Sequence, residues 1–442
     1  MSNLLLKETV MKNKIVLCVV SIIVGLTLGC CSIGKDNIEF KEIRNVYKSV
    51  SPTIASIQKL SESDRKIAIA ELVEKSSNCG FPLIEKDSLY DDYIFVTFIY
   101  VDSTHQHEIE FEVFGIYDEH RFGDRKLHRL DSTDIYHRSY MIPNDLCLSY
   151  RYILTDRAAG SKRIVTDPFN TNRIPAGAVE DYSWSALDLR ADEEEWYSKR
   201  YESDSKLETL EITSRLLNNT RNIYVYLPPG YDNGCKGYPV IYLFDSFIYL
   251  NRIEVPNVLD NLIWENKIEP MVAVFIDNPT STSRDYELPM NPVFRDFVVT
   301  ELLPKIKSKY SITNRPEETI IGGMSYGGLA AAYIAFECDS VFGKVLSQSG
   351  GFWRDPEGKL KYADNDRTDF LINRFAKEDK RNIKLFLDWG LQEDMVLGAN
   401  RKFVRILDRL DYDFKFIEFN GWHDWSNSRK IFPIGLQYLI EN

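Results

Sequence analysis

The stretch from Thr319 to Tyr333 constrains the fold of this chain more than any other. A β-branched run, Thr319-Ile320-Ile321, passes through Gly322-Gly323-Met324 to Ser325, and Tyr326-Gly327-Gly328 then opens a small apolar run that ends at Tyr333. This is Gly-x-Ser-x-Gly in a strand-turn-helix setting, which lifts a serine hydroxyl to the apex of a sharp turn. The turn strains the serine backbone, and glycine at 323 and 327 removes the Cβ atoms that would collide where strand and helix approach. Ser325 stands at a helix N-terminus, where free N–H groups and the helix dipole favour developing negative charge.

The surrounding sequence supplies a sheet for such a turn. From about residue 206, apolar strands Ile223–Leu227, Val240–Phe244, Val272–Ile276, Lys344–Ser347, Ile383–Leu387 and Phe414–Phe419 alternate with amphipathic segments such as Phe294–Tyr310 and Arg401–Leu410. Near-continuous apolar strands separated by helices predict a mostly parallel sheet covered on both faces. In such a sheet ligands sit at the carboxyl ends of the strands. Ser325, the loop after Phe244 and the loop after Leu387 all fall there.

The front of the chain reads differently. Residues 32–75 are polar and partly helical, with Arg65–Glu74 as the clearest helix. Residues 76–165 carry Tyr93–Val101, the strictly alternating Glu108–Phe114 and Leu148–Leu154, which are rich in β-branched and aromatic residues and predict a small all-β sandwich domain. Residues 166–205, with the acidic run Asp192–Glu195, read as a surface linker in which Trp184 and Trp196 pack against a domain. At 442 residues the chain suits about two domains. The fold expected is therefore an α/β-hydrolase over 206–442, preceded by the sandwich.

A formal net charge of −12 argues against a nucleic-acid partner, because the phosphate backbone would be repelled. Lys12 and Lys14 precede an apolar run, Ile15 to Leu28, of 14 residues, short of the roughly 20 needed to span a bilayer. Residues 1–31 therefore read as a signal peptide, with Met11 as the expected start. Gly29-Cys30-Cys31 resembles a bacterial lipobox, with Cys30 as the acylated residue, Cys31 as a competing site and Thr27 where leucine is commonest. The expected address is an exported lipoprotein of the periplasm or outer membrane, touching the membrane through its lipid anchor only. The cysteines, at 18, 30, 31, 79, 147, 235 and 338, show no spacing for a zinc site. No metal and no organic cofactor is expected.

A serine nucleophile needs a base, and of the histidines only His423 lies in the α/β half, in Asn420-Gly-Trp-His-Asp-Trp425 just after the last strand. That is where the fold carries its catalytic histidine. The acid that orients the imidazole follows the penultimate strand, where Leu387-Asp388-Trp-Gly-Leu-Gln-Glu-Asp394 offers three carboxylates. Glu393 has the expected spacing, with Asp394 as runner-up and Asp388 as a structural residue of the strand end. The oxyanion hole needs two N–H donors: the backbone of Tyr326, and Ser246 or Phe247 in the loop after Phe244.

These segments together resemble the enterochelin (enterobactin) esterases of the esterase D-like group. In the hydrolase half the matching pieces are Arg221 to Tyr231, Leu-Phe-Asp245, Val274 to Asp277, Arg284-Asp-Tyr-Glu-Leu288, Gly322 to Gly328, Ser347-Gln-Ser-Gly-Gly-Phe-Trp353 and Gly421-Trp-His-Asp424. The front half is similar to that family's N-terminal domain through Pro82-Leu83, Val96-Thr-Phe98, Leu130 to Tyr136, Ser149-Tyr-Arg-Tyr152 and Asp167-Pro-Phe-Asn170. The resemblance implies hydrolysis of the trilactone esters of a catecholate siderophore. Ser246 stands where the family usually carries glycine, and the exported N-terminus is unlike the cytoplasmic enterochelin esterases. Related exported esterases of this fold remove feruloyl or acetyl groups from plant polysaccharides, which is the alternative substrate class. A non-catalytic siderophore- or glycan-binding lipoprotein is the alternative of another kind.

Two further residues are candidates for substrate contact. Arg284 can hold a catecholate or carboxylate, or form a salt bridge with Glu287 or Asp285. Trp353 can stack on an aromatic acyl group, or anchor its loop.

Overall fold

The computed structural model describes residues 38–79, 82–86, 90–115, 122–175, 183–190, 195–234, 237–356 and 369–441. The apolar run 15–28, Cys30 and Cys31 lie outside the described residues. Among the described residues no helix is long and apolar enough to cross a membrane.

Alternation organises the front half. In β4 (His107–Val113) Ile109, Phe111 and Val113 are buried and the residues between them only partly so, which gives the strand one apolar face. It pairs with β7 (Cys147–Asp156), and β8 (Lys162–Val165), β10 (Trp184–Asp188) and β9 (Arg173–Ile174) complete an antiparallel sheet. A second antiparallel sheet joins β1 (Tyr47–Ser49), β2 (Leu83–Lys86), β3 (Tyr93–Val101), β5 (His128–Arg129) and β6 (Ile135–Pro143). Rings from both sheets meet in one core: Phe98 of β3 stacks on Phe111 of β4 with centroids 4.7 Å apart and meets Tyr150 of β7 edge-on at 4.9 Å. The helices Pro52–Gln58 and Glu62–Cys79 lie between β1 and β2 in the chain.

The segment 166–205 is not a linker laid over the surface. β9 and β10 belong to the first of these sheets, and Asp167 is buried, its carboxylate accepting the Tyr150 hydroxyl at 2.7 Å and its N–H donating to the Ser185 hydroxyl oxygen at 2.9 Å. Trp184 and Trp196 are both buried, Trp196 within the core of the hydrolase half. Composition misled here because Pro, Gly and acidic residues flank a five-residue strand whose partner, β7, fixes it from outside.

The hydrolase half is one sheet of β11 (Lys206–Ser214), β12 (Asn219–Leu227), β13 (Val240–Phe244), β14 (Val272–Ile276), β15 (Thr319–Met324), β16 (Lys344–Gln348), β17 (Lys384–Gly390) and β18 (Asp413–Phe419), in the order β11-β12-β14-β13-β15-β16-β17-β18. β11, β12 and β14 pair antiparallel, and from β14 to β18 every pairing is parallel. The order sets β15, β16, β17 and β18 side by side, so the loops that leave them share one rim. β13, β14, β15 and β16 are buried along their whole length, as strands covered on both faces must be. The helix Tyr326–Glu337 is buried from Gly327 to Phe336, which explains its lack of a polar stripe.

Candidate active site

β15 delivers Ser325 at φ 61 and ψ −119, immediately before the helix Tyr326–Glu337. Positive φ costs a non-glycine residue about 1–3 kcal/mol, so the neighbours must hold it. The Ser325 N–H donates to Gln348 O at 2.8 Å, and its carbonyl accepts from Gly351 N–H at 3.0 Å. A Cβ on Gly323 would stand 2.5 Å from the Gly327 carbonyl carbon, so the elbow closes only with glycine there.

β17 ends at Gly390, and Glu393 stands immediately before the helix Asp394–Arg409. Its Oε2 lies 2.6 Å from His423 Nδ1. Its Oε1 accepts the Ser349 hydroxyl at 2.7 Å and the Gly390 N–H at 2.6 Å. An ionised carboxylate only accepts, so this contact assigns the Nδ1–H tautomer and leaves Nε2 as the basic nitrogen. Glu393 is 6% exposed, which keeps its carboxylate out of bulk water, while the His423 ring is partly open.

The other two carboxylates stand elsewhere. Asp394 is exposed in the first turn of its helix, where a negative charge suits the dipole. Asp388 is fully buried inside β17, where burial drives its pKa well above the carboxylate range and the Glu393 charge adds to the push. The imidazole makes its carboxylate contact with Glu393 and not with Asp388.

Near the elbow, Ser246 and Phe247 open the helix Ser246–Asn251, and Tyr326 opens the one after Ser325. N–H groups in a first turn have no intrahelical acceptor. The Ser246 hydroxyl donates to Asp277 Oδ1 at 3.0 Å, and the Phe247 ring is 48% exposed. Arg284 has a nearer partner than either of those expected, with Asp285 an ion pair at the outer limit of distance. Its Nε and Nη2 donate to Asp245 at 2.6 and 2.8 Å, whereas Glu287 is bound to Arg221 and Asp285 lies at 4.0 Å. The reason is tertiary: Asp245 stands just before the helix that starts at Ser246, and a bidentate fork to it ties that loop down. Trp353 is 8% exposed, its ring centroid 6.3 Å from that of Tyr326.

The loop that carries His423 is seated in the front half. Asp424 accepts the Ser149 N–H at 2.5 Å, the Ser149 hydroxyl at 2.8 Å and the Ser426 N–H at 2.7 Å. Trp422 joins the core between the two front sheets, and Trp425 lies 3.9 Å from Phe114, centroid to centroid. Gly115, at φ 76, sits so close that a Cβ there would meet His423 O at 2.6 Å. Ser149→Ala removes one buried donor from Asp424 and is expected to lower the unfolding free energy by about 2 kcal/mol, read from the urea midpoint at unchanged m-value.

Sequence reasoning missed Ser349, Asp245 and Ser149 as supports of this site. Ser349 and Ser149 lie inside stretches that carried the family resemblance, which was the signal available; nothing local marked their partners.

The family model described as "Putative esterase" matches residues 214–438, just over half of the chain. The chain is 25% identical over 332 residues to the iron(III) enterobactin esterase of Escherichia coli O6:H1, covering 70% of this chain and 80% of that protein. It is 28% identical over 213 residues to the iron(III) enterobactin esterase of Escherichia coli K12, covering 48% of this chain and 51% of that one. The solved enterobactin esterase of Shigella flexneri superposes with a TM-score of 0.69 at 24% identity, over 82% of this chain and 96% of that chain, a likeness of fold. The model spans the sheet from the end of β11 to the helix after His423, and the chain thus belongs to the putative esterase family and is a carboxylic-ester hydrolase.

Proposed function

We propose that this protein hydrolyses the trilactone ester bonds of a catecholate siderophore such as ferric enterobactin, with Ser325 as nucleophile, His423 as base and Glu393 as the orienting acid. The observation that carries the catalytic part is the 2.6 Å contact between His423 Nδ1 and Glu393 Oε2, in the segments that leave β17 and β18 on the same rim of the sheet as the strained Ser325 after β15. Two similar proteins named iron(III) enterobactin esterases support the substrate.

In this reading Ser325 Oγ attacks the ester carbonyl carbon and its proton passes to His423 Nε2. The carbonyl oxygen becomes an oxyanion, held by the Tyr326 N–H and by the N–H of Ser246 or Phe247. The carbonyl re-forms, the bond to the leaving alkoxide breaks, and His423 returns the proton to it. Water then attacks the acyl-enzyme by the same path: His423 takes one water proton, the acid is released, and the proton returns to Ser325. Glu393 stays ionised and stabilises the imidazolium in both halves.

We read the two front sheets as the small all-β sandwich domain of that family. The sequence of residues 15–31 supports export and acylation of Cys30, with the reaction in the periplasm or at the outer membrane. Ferric enterobactin, its linear fragments and feruloylated oligosaccharides, incubated separately with the protein and read by mass spectrometry, test the substrate. Stepwise opening and trimming of the trilactone is the expected outcome; release of ferulate with the trilactone intact would move the protein to the polysaccharide esterases, and binding without cleavage would make it a capture protein.

A further inference from the structure

The loop that leaves β16 runs back over the elbow, tied by Gly351 N–H to Ser325 O at 3.0 Å, and three residues later it carries Arg354. The Arg354 guanidinium carbon lies 5.4 Å from the centroid of the Tyr326 ring, and that of Arg284 lies 5.6 Å from the same centroid. Two guanidinium groups and the Trp353 ring thus gather around the residue next to Ser325.

The two cations are not equivalent. Arg284 gives Nε and Nη2 to Asp245, so a carboxylate already answers its charge and fixes its plane. Arg354 forms no ion pair among the described residues, and its Nε is buried without a hydrogen-bond partner. A buried donor of a permanent cation is costly to leave unmet, by about 1–3 kcal/mol, and a ligand that meets it recovers that cost. The chain as a whole carries a formal charge of −12, which repels an anionic substrate at long range, so binding one needs a cation at short range.

We propose that Arg354 is a substrate-binding residue that recognises an aryl anion, such as a catecholate or hydroxybenzoate group, on the ester presented to Ser325. The planar fork of a guanidinium meets two adjacent oxygens of such a ring together, and the half-buried ring of Tyr326 offers it aromatic surface. The assignment rests on the reading of Ser325 as nucleophile and deepens the siderophore reading by naming the group that is gripped.

Arg354→Gln and Arg354→Lys would be compared with the wild type on p-nitrophenyl butyrate and on the linear dimer of 2,3-dihydroxybenzoylserine, with 2,3-dihydroxybenzoate as competitive inhibitor of butyrate hydrolysis. The ratio of kcat/KM for the dimer to that for the butyrate is expected to fall roughly 10- to 100-fold in Arg354→Gln, chiefly through KM. The inhibition constant should rise by a similar factor, and lysine should restore part of both. Equal losses on the two substrates, or an unchanged inhibition constant, would overturn the assignment. The inhibition arm needs no turnover of the dimer: a wild type that cleaves butyrate alone would end the siderophore reading, and the ratio of inhibition constants would still decide for or against Arg354.

Discussion

Ser325→Ala is expected to lower kcat about 10⁴-fold or more on any ester the protein cleaves, and to abolish labelling by a fluorophosphonate probe. The size follows from chemistry: with no hydroxyl at the elbow, the hydrolysis that remains is what N–H donors and binding give to water. Folding should survive, because Ser325 is held through its backbone, by Gln348 O and Gly351 N–H, and alanine keeps both contacts. Its positive φ is kept as well, since serine already bears a Cβ there. A variant that folds, binds substrate and hydrolyses it within tenfold of the wild-type rate would remove the serine from the mechanism.

Glu393→Gln should cost kcat roughly 10³- to 10⁴-fold with KM little changed. The carboxylate receives three contacts: Oε1 takes the Ser349 hydroxyl and the Gly390 N–H, and Oε2 faces His423 Nδ1 at 2.6 Å. Those two donors at Oε1 leave an amide oxygen only one sensible place, so its NH₂ must turn toward Nδ1. An amide donor there selects the Nε2–H tautomer, which cannot take the proton of Ser325. Asp394→Asn provides the contrast, since that side chain is exposed at a helix start and removing its charge touches a dipole worth about 0.3–1 kcal/mol. Stopped-flow burst and steady-state measurements on one chromogenic ester compare the two variants; a deeper loss in Asp394→Asn would reverse the choice of acid.

The elbow was legible because its demands are local. A β-branched strand, glycines where backbones touch and a helix of small residues are written within Thr319 to Tyr333, and Ser325 takes the positive φ those residues imply. The strands β13 and β14 were equally plain, since burial on both faces leaves only apolar residues in them. β11 was harder: exposed residues recur along Lys206–Ser214 and its apolar face is thin, so only its hairpin partner β12 marks it as a strand.

By itself the sequence determined which residues can do chemistry and in what order they occur along the chain, since residue type and the strand-helix rhythm are properties of short segments. The tertiary structure alone decided their partners. Arg284 grips Asp245 rather than its neighbours, Ser349 steadies Glu393, and Ser149 holds Asp424 across the two halves of the molecule. A charge settles on whichever group of opposite character the sheet order brings within reach, and that distance is fixed by where β7, β13, β16, β17 and β18 end in space.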